Sequence, residues 1–469
     1  MARRKAVVIM AAGRGTRMCS SVTKVLHPVA GRPMVHYPVR SALELGAERV
    51  VVILGHQRDE VSQYLESAFP GAPLTTVLQA EQLGTAHAVL CAKEALSDFD
   101  GDIFILSGDV PTLPTEIIDR LDTEAHDAVV AVLGMRLTEP AAYGRLITDE
   151  QGTLRQITEA RDCRPDQLLV KEVNAGVYRV DAQHLFTTLA GVESKNAQGE
   201  YYLTDIVQAA TDAGRPVSAT ILDGAEAVLA EGVNDRLDLA AAEKRMQQRL
   251  RAEAMRQGVT LTDPERVILH DGVTIGAESV IEPNVALLGT TTVGQHCVIE
   301  QGCRITNTSV ADHVWIKGCS HLEGAIIENN CQVGPFARLR EGTVLGAKVK
   351  VGNFVETKKA QFHEGAKASH LSYIGDARVG RGANIGAGTI TCNYDGYRKF
   401  RTEIGDGAFI GSDTQLVAPV SIGAGAIVAA GTTVTQDVPD DALALSRSPQ
   451  IHKEGWAAMK RKLEASRQK

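Results

Sequence analysis

Aromatic side chains are scarce: Phe, Tyr and Trp make up 4 % of the 469 residues. A core built on large rings is excluded, so small aliphatic residues have to fill the interior. No apolar run approaches the roughly 18 to 20 residues that a bilayer span needs, and membrane insertion is not expected. Positive charge is not in excess either, with 49 Lys and Arg against 57 Asp and Glu and a net charge of −8. That balance argues against nucleic acid or an anionic membrane as the main partner and leaves small molecules. Cys19, Cys91, Cys163, Cys297, Cys303, Cys319, Cys331 and Cys392 form no C-x-x-C pair, which reads as free thiols in a reducing compartment. The cationic stretch Arg3-Arg4-Lys5 precedes an apolar run, Ala6–Ala12, that is too short for a secretory signal and is followed at once by Arg14 and Arg17. A cytoplasmic protein with a buried strand at Val7-Val8-Ile9 is the expectation.

The length exceeds the roughly 250 to 300 residues at which one hydrophobic core stops growing, so two domains are expected. Glycine marks the division: 18 of the 44 glycines lie in residues 1–257 and 26 in the shorter stretch 258–469. In the first part, β-branched runs (Ala6–Met10, Arg49–Leu54, Leu74–Leu78, Ile103–Leu106, Ala128–Leu133) alternate with helix-period segments such as Met34–Leu45 and Thr85–Leu96. The alternation predicts an α/β domain, 1–235, with a mostly parallel sheet and ligands at the carboxyl ends of its strands. A Gly- and Pro-free segment, 236–257, predicts a linker helix with Leu239, Met246 and Leu250 on one face. From 258 to 469 the aliphatic residues recur every six positions, as in Ile275, Ile281, Leu287, Val293, Ile299 and Ile305, in Val333, Leu339, Leu345 and Val351, and in Ile404, Ile410, Leu416, Ile422, Val428 and Val434. This period is the signature of a parallel β-helix whose narrow core takes small aliphatic side chains. It fails at about Gln361–Leu371 and Thr391–Arg401, where loops are expected to leave the coil.

Ala11–Met18 follows the first strand, with Lys24 close behind. Glycines there let backbone N–H groups approach a phosphate and cations neutralise it, although the pattern is neither a dinucleotide fingerprint nor a P-loop. Asp109 follows a strand in Leu106-Ser107-Gly108-Asp109, a position from which a carboxylate can hold Mg²⁺ against phosphate oxygens.

These segments, with Gln79–His87, Tyr143-Gly144-Arg145, Asn174-Ala175-Gly176 and Glu231–Asp235, resemble the sugar-1-phosphate nucleotidyltransferases. Joined to the hexad half, the chain resembles over nearly its whole length the bacterial family of bifunctional N-acetylglucosamine-1-phosphate uridyltransferases and glucosamine-1-phosphate N-acetyltransferases. The resemblance implies a Rossmann-like domain joined to a left-handed parallel β-helix, and a supply of UDP-N-acetylglucosamine for peptidoglycan and lipopolysaccharide. It implies that Met10, Ala11, Ala12, Gly13, Gln79, Gly84 and Thr85 line the uridine nucleotide and that Ser107 and Gly108 contribute beside it. Arg17 and Lys24 would neutralise the triphosphate, Asp109 and Asn234 would hold Mg²⁺, and Gly144, Glu159 and Asn174 would bind the sugar. The family usually has Leu at Met10 and often Tyr at Ser107.

In the hexad half, Arg340, Glu356, Lys358, His370 and Tyr373 offer two cations for a sugar phosphate, a carboxylate and an imidazole. Acyl transfer to an amine needs a base, because only the free amine attacks, and His370 is the expected proton acceptor. The resemblance places Asn384 and Tyr394, with Asn393, at the amino sugar or acetyl-CoA, Ala387, Ser412 and Ala430 along the pantetheine, and Arg447 on a CoA phosphate. Glu341 stands where the family often has Pro and adds a negative charge beside Arg340. Zinc on three histidines is a rival use of a β-helix trimer, but His313, His321 and His363 fit no such motif. A β-helix that only oligomerises the nucleotidyltransferase is the other alternative. A homotrimer with shared acetyltransferase sites is expected.

Overall fold

β-Branched runs become strands where both faces of a sheet are covered. The computed structural model describes residues 3–13, 15–55, 57–125, 127–446 and 448–467, which divide into two compact units, Met1–Arg249 and Leu250–Lys469. In the first unit the runs form β1 (Lys5–Ala11), β2 (Arg49–Leu54), β3 (Leu74–Leu78), β4 (Asp102–Ser107) and β5 (Val130–Arg136). They are joined by β6 (Arg145–Thr148), β7 (Leu154–Thr158), β8 (Glu172–Asp181) and β9 (Val217–Leu222). The sheet order is β9-β5-β8-β4-β1-β2-β3, with β6 and β7 paired beside β8. β1 to β4 run parallel, as do β9 and β5, whereas β8 lies antiparallel between β4 and β5. Ala6, Val7, Val8 and Ile9 are fully buried at the centre of this sheet.

Helices cover both faces. Val39, Val61, Leu65, Ile117 and Leu121 close one face, and Ala86, Val89, Leu185, Ile206 and Ala210 close the other. The helix Arg236–Arg256 contains the division between the units, and buries Ala242 and Met246 but leaves Leu237 exposed. No helix among the described residues is long and apolar enough to cross a membrane.

The hexad residues of the second unit point inward. Ile281, Ile299, Ile316, Val333, Val351, Ala368, Ile385, Ile410 and Val428 stack one per coil along one face of a parallel β-helix. Its three parallel sheets contain 11, 10 and 9 strands among the described residues. Two expectations are corrected. No loop leaves the coil at Gln361–Leu371: the strands Gln361–Phe362 and Lys367–His370 pair in register with their neighbours, and Phe362, Ala366 and Ala368 are the buried residues. Phe and Ala stand there in place of the expected branched aliphatics, so the coil accepts one aromatic ring, against the expectation from composition. The loop at Thr391–Arg401 is present, with Tyr394 bridged to Lys399 before the next strand begins at Thr402.

Candidate active sites

In the first unit the glycine loop leaves the carboxyl end of β1. Gly15 has φ +60°, and a Cβ there would lie 2.5 Å from Lys24 Cβ, so its absence lets the Lys24 side chain pass. Lys24 Nζ donates to Asp109 Oδ2 at 2.5 Å and lies 3.3 Å from Asn234 Oδ1, while Arg17 Nη2 donates to the same amide oxygen at 2.9 Å. Asp109 reaches this point from the end of β4, and its backbone oxygen accepts from Val233 N at 2.9 Å. Asn234 is aimed by two contacts: its backbone N donates to Asp238 Oδ2 at 2.8 Å and its Nδ2 to Gly232 O at 3.2 Å.

Two side-chain oxygens therefore converge where two cations already sit. A carboxylate and an amide oxygen suit Mg²⁺, which takes one or two protein oxygens and completes its shell with phosphate and water. No cluster of three or more His, Cys, Asp or Glu suited to a metal occurs among the described residues. A cleft of about 1010 Å³ opens beside this cluster, with Arg17, Tyr143, Gly232 and Asn234 in its wall. Burial pushes the Tyr143 hydroxyl up from the ordinary tyrosine range, so it remains protonated.

Met10 and Ala11 lie beside Gly108, whose N–H donates to Met10 O at 2.9 Å. Ala12 O accepts from Gln82 Nε2 at 2.5 Å, and Gly13 has open space around it. Gln79 is buried, with Nε2 contacting Gly84 O and His87 Nδ1, each at 3.2 Å. A Cβ on Gly84 would meet Tyr201 O at 2.5 Å, and Thr85 Oγ1 accepts from Leu203 N at 2.9 Å. The Gly84 turn is thus pressed against the Tyr201–Leu203 segment. Gln82, which links the first loop to this turn, was not among the expected site residues.

Asn174 N donates to Gly144 O at 2.8 Å. A Cβ on Gly144 would stand 3.4 Å from both oxygens of Glu159, and one on Gly176 would stand 3.3 Å from Ser107 Oγ. Gly144, Glu159 and Asn174 are therefore brought together, with Ser107 near Gly176. Burial first, and nearby Asp162, Asp205 and Glu200 next, raise the Glu159 carboxyl above its usual range; only Thr204 opposes this with a hydrogen bond.

In the second unit, parallel pairing sets Arg338, Glu356 and Tyr373 on successive rungs, and Arg340 pairs with Glu356 at 2.9 Å. Glu341 is not the partner of Arg340 in that ion pair. The Lys358 ammonium is pushed below the usual lysine range by Lys399 first and Arg340 next. Lys399 was missed in the sequence because it enters from the long loop; the break at Thr391–Arg401 located the loop but not this residue. Asn393 is buried, with Nδ2 donating to Asp376 Oδ2 at 2.5 Å, and thereby anchors the loop, whereas Tyr394 is exposed beyond it.

His370 ends the strand Lys367–His370 directly beside Asn353, and its Nδ1 lies 2.8 Å from Asn353 Oδ1. An amide oxygen can only accept, so Nδ1 carries the proton and Nε2 keeps its lone pair. Asn353 was also missed, because only the coil register reveals it. Asn384 is paired with Lys367 on the next rung. Ala387, Ser412 and Ala430 line one corner: Asp413 N donates to Ala387 O at 2.7 Å and Gly431 N to Ser412 O at 2.8 Å. Arg447 lies outside the described residues. His313 stacks on His296, while His363 Nε2 accepts from Arg378 Nε at 2.9 Å, so these histidines are engaged separately.

A nucleotide-type site at strand ends and an acyl-transfer-type site on a β-helix define a two-site transferase. The Nucleotidyl transferase family matches residues 6–229, the GMPPB C-terminal domain family 264–362, and the Bacterial transferase hexapeptide (six repeats) family 401–436. The chain is 46 % identical over 453 residues to the "Bifunctional protein GlmU" of Pelobacter propionicus, covering 96 % of this chain and 97 % of that one. It is 46 % identical to the Geobacter sulfurreducens protein of the same name, covering 97 % and 99 %, and 50 % identical to that of Anaeromyxobacter sp. strain Fw109-5, covering 98 % and 93 %. The chain belongs to the GlmU family of bifunctional enzymes, the family its motifs resemble. Its two activities are acetyl transfer from acetyl-CoA to glucosamine 1-phosphate and uridylyl transfer from UTP to the N-acetylated product, giving UDP-N-acetylglucosamine and pyrophosphate.

Proposed function

We propose that residues 1–235 carry the uridylyl transfer, that 236–257 link, and that 258–469 carry the acetyl transfer. The convergence of Asp109, Asn234, Lys24 and Arg17 on one point supports the first assignment most directly. Asp109 and Asn234 would hold Mg²⁺, which when bound supplies positive charge to the phosphate oxygens. Arg17 and Lys24 neutralise the triphosphate, and the Ala11–Gly13 backbone lies against it. Gln79, Gly84 and Thr85 bound the uridine, and Gly144, Glu159 and Asn174 orient the sugar. A phosphate oxygen of N-acetylglucosamine 1-phosphate attacks the α-phosphorus of UTP, the bond to the β-phosphate oxygen breaks, and pyrophosphate leaves. The attacking oxygen is already anionic, so the site needs alignment and charge neutralisation more than a base.

In the acetyltransferase, Arg340, Lys358 and Lys399 bind the phosphate of glucosamine 1-phosphate, while Glu356, Tyr373 and Asn384 orient the amino sugar. The His370 Nε2 lone pair takes a proton as the amine attacks the thioester carbon, and the imidazolium then protonates the departing thiolate. Ala387, Ser412 and Ala430 line the pantetheine, and Arg447 meets a CoA phosphate. The exposed side chains of Phe336, Phe354 and Leu371, with the two phenyl rings stacked at 5.4 Å, run along the coils next to His370. This apolar ridge supports a homotrimer in which a neighbouring subunit covers each acetyltransferase site. A cytoplasmic location completes the proposal.

The test follows free thiol and pyrophosphate in one sample of glucosamine 1-phosphate, acetyl-CoA, UTP and Mg²⁺, with each component omitted in turn. Both products are expected, with pyrophosphate dependent on acetyl-CoA and on Mg²⁺ and thiol release indifferent to chelation. Thiol release that persists in a His370→Ala variant would refute the assignment of the base.

A further inference from the structure

Asn174 and Tyr178 belong to the same strand, yet their side chains meet. Residues four apart in a regular strand stand about 13 Å apart. Here the register shifts between Asn174 and Val177, and Gly176 takes φ +74°, so the strand bulges and the spacing is locally shortened. Asn174 Oδ1 then accepts from Gly176 N at 2.9 Å, and Asn174 Nδ2 donates to Tyr178 OH at 2.6 Å. Tyr178 is 2 % exposed and lies outside the sugar-facing set of Gly144, Glu159 and Asn174.

A carboxamide offers two donor hydrogens and two acceptor lone pairs. The bulge uses one of each, leaving a single N–H and a single lone pair for a ligand. That pair matches a sugar hydroxyl, which both accepts and donates. Gly176 N–H decides which amide atom faces inward, because an inverted amide would set two donors against each other. Tyr178 supplies the second anchor, without which the amide could pivot about the Gly176 contact.

We propose that Tyr178 is a positioning residue for the uridylyl transfer: its buried hydroxyl holds the Asn174 carboxamide in the orientation that recognises a hydroxyl of the sugar phosphate. The phenol keeps its proton across the working range, because burial and the charges of Glu159 and Asp205 raise it above the ordinary tyrosine value. The proposal rests on the assignment of Asn174 to the sugar.

Tyr178→Phe keeps the ring and its volume and removes only the anchor. In the full-length enzyme with N-acetylglucosamine 1-phosphate, UTP and Mg²⁺, it is expected to raise KM for the sugar phosphate about tenfold, the loss of one neutral hydrogen bond's worth of alignment. The KM for UTP, kcat and the rate of thiol release in the acetyl-transfer assay should stay within about twofold. In an Asn174→Ala background the same substitution should add nothing, since its effect runs through that amide. An unchanged sugar KM in Tyr178→Phe, with a raised one in Asn174→Ala, would overturn the proposal while leaving the Asn174 assignment intact. An unchanged sugar KM in Asn174→Ala would instead remove the assignment beneath it. A parallel rise in KM for both substrates would show Tyr178 to be merely structural.

Discussion

Asn353 Oδ1 sits 2.8 Å from His370 Nδ1, and that contact selects the tautomer in which Nε2 keeps the lone pair required of the proposed base. Replacing Asn353 with Ala removes the acceptor and lets the ring turn. Acetyl transfer should slow by about ten- to a hundredfold in kcat, a part of the roughly hundred- to ten-thousandfold that general-base catalysis contributes, with the uridylyl transfer unchanged. Lys399 acts through charge: beside Lys358 it forms a pair of cations that depresses the Lys358 pKa, a repulsion that the proposed dianionic phosphate would relieve. Lys399→Met should raise KM for glucosamine 1-phosphate about tenfold or more, the size of a lost charge-assisted contact, and should let the Lys358 pKa rise in a pH profile of binding. The sequence carried His370 and Lys358 plainly, as polar residues beside a hexad pattern. It did not carry their partners. Asn353 meets His370 only because the coil register sets residues 17 apart on adjacent rungs, and Lys399 arrives on a loop whose path has no period.

At the scale of elements, the six-residue period was legible because each inward position faces a narrow core that admits few side chains. Leu345, fully buried, is one such position. Leu345→Ala should destabilise the β-helix by about 2–5 kcal/mol in denaturant unfolding, the usual effect of emptying a packed leucine site. The period disappeared at Phe362 and Ala368 because volume can be shared between adjacent faces of the coil, so an aromatic and a small residue serve in place of two aliphatics. β8 was not legible either: its bulge places Asn174 and Gly176 inside the strand and breaks the alternation that marks a sheet. In the nucleotide loop, His27 Nδ1 lies 3.3 Å from Arg236 Nη1, and Arg236 Nε donates to Met18 O, which ties the loop to the start of the helix bearing Asp238. Burial, then the Arg236 charge, hold the His27 pKa below the ordinary value of 6.5. The unfolded chain therefore takes up this proton first as pH falls. Stability is full above about pH 6.5, and is lost as pH falls through that value towards the folded pKa. Thermal scans between pH 7.5 and 5.5 should show the midpoint of the first unit dropping, and a His27→Gln variant should show a shallower drop.

For the whole molecule, the proposed assignment houses two chemistries of different demand in two kinds of scaffold. Uridylyl transfer needs converging charges on loops at strand ends, and the parallel part of the sheet brings Arg17 and Lys24, from the loop after β1, together with Asp109, from the end of β4. Acetyl transfer needs a base and a phosphate cradle held along an extended substrate, and stacked rungs supply a row of side chains at fixed spacing. On the proposed assignment each reaction depends on its own set of residues. Full-length His370→Asn and Asp109→Asn variants, assayed side by side for thiol release from acetyl-CoA and pyrophosphate release from UTP with N-acetylglucosamine 1-phosphate, test it directly. The His370 variant should lose thiol release and keep pyrophosphate release, and the Asp109 variant should do the reverse. Loss of both activities in either folded variant, or retention of thiol release without His370, would contradict the account.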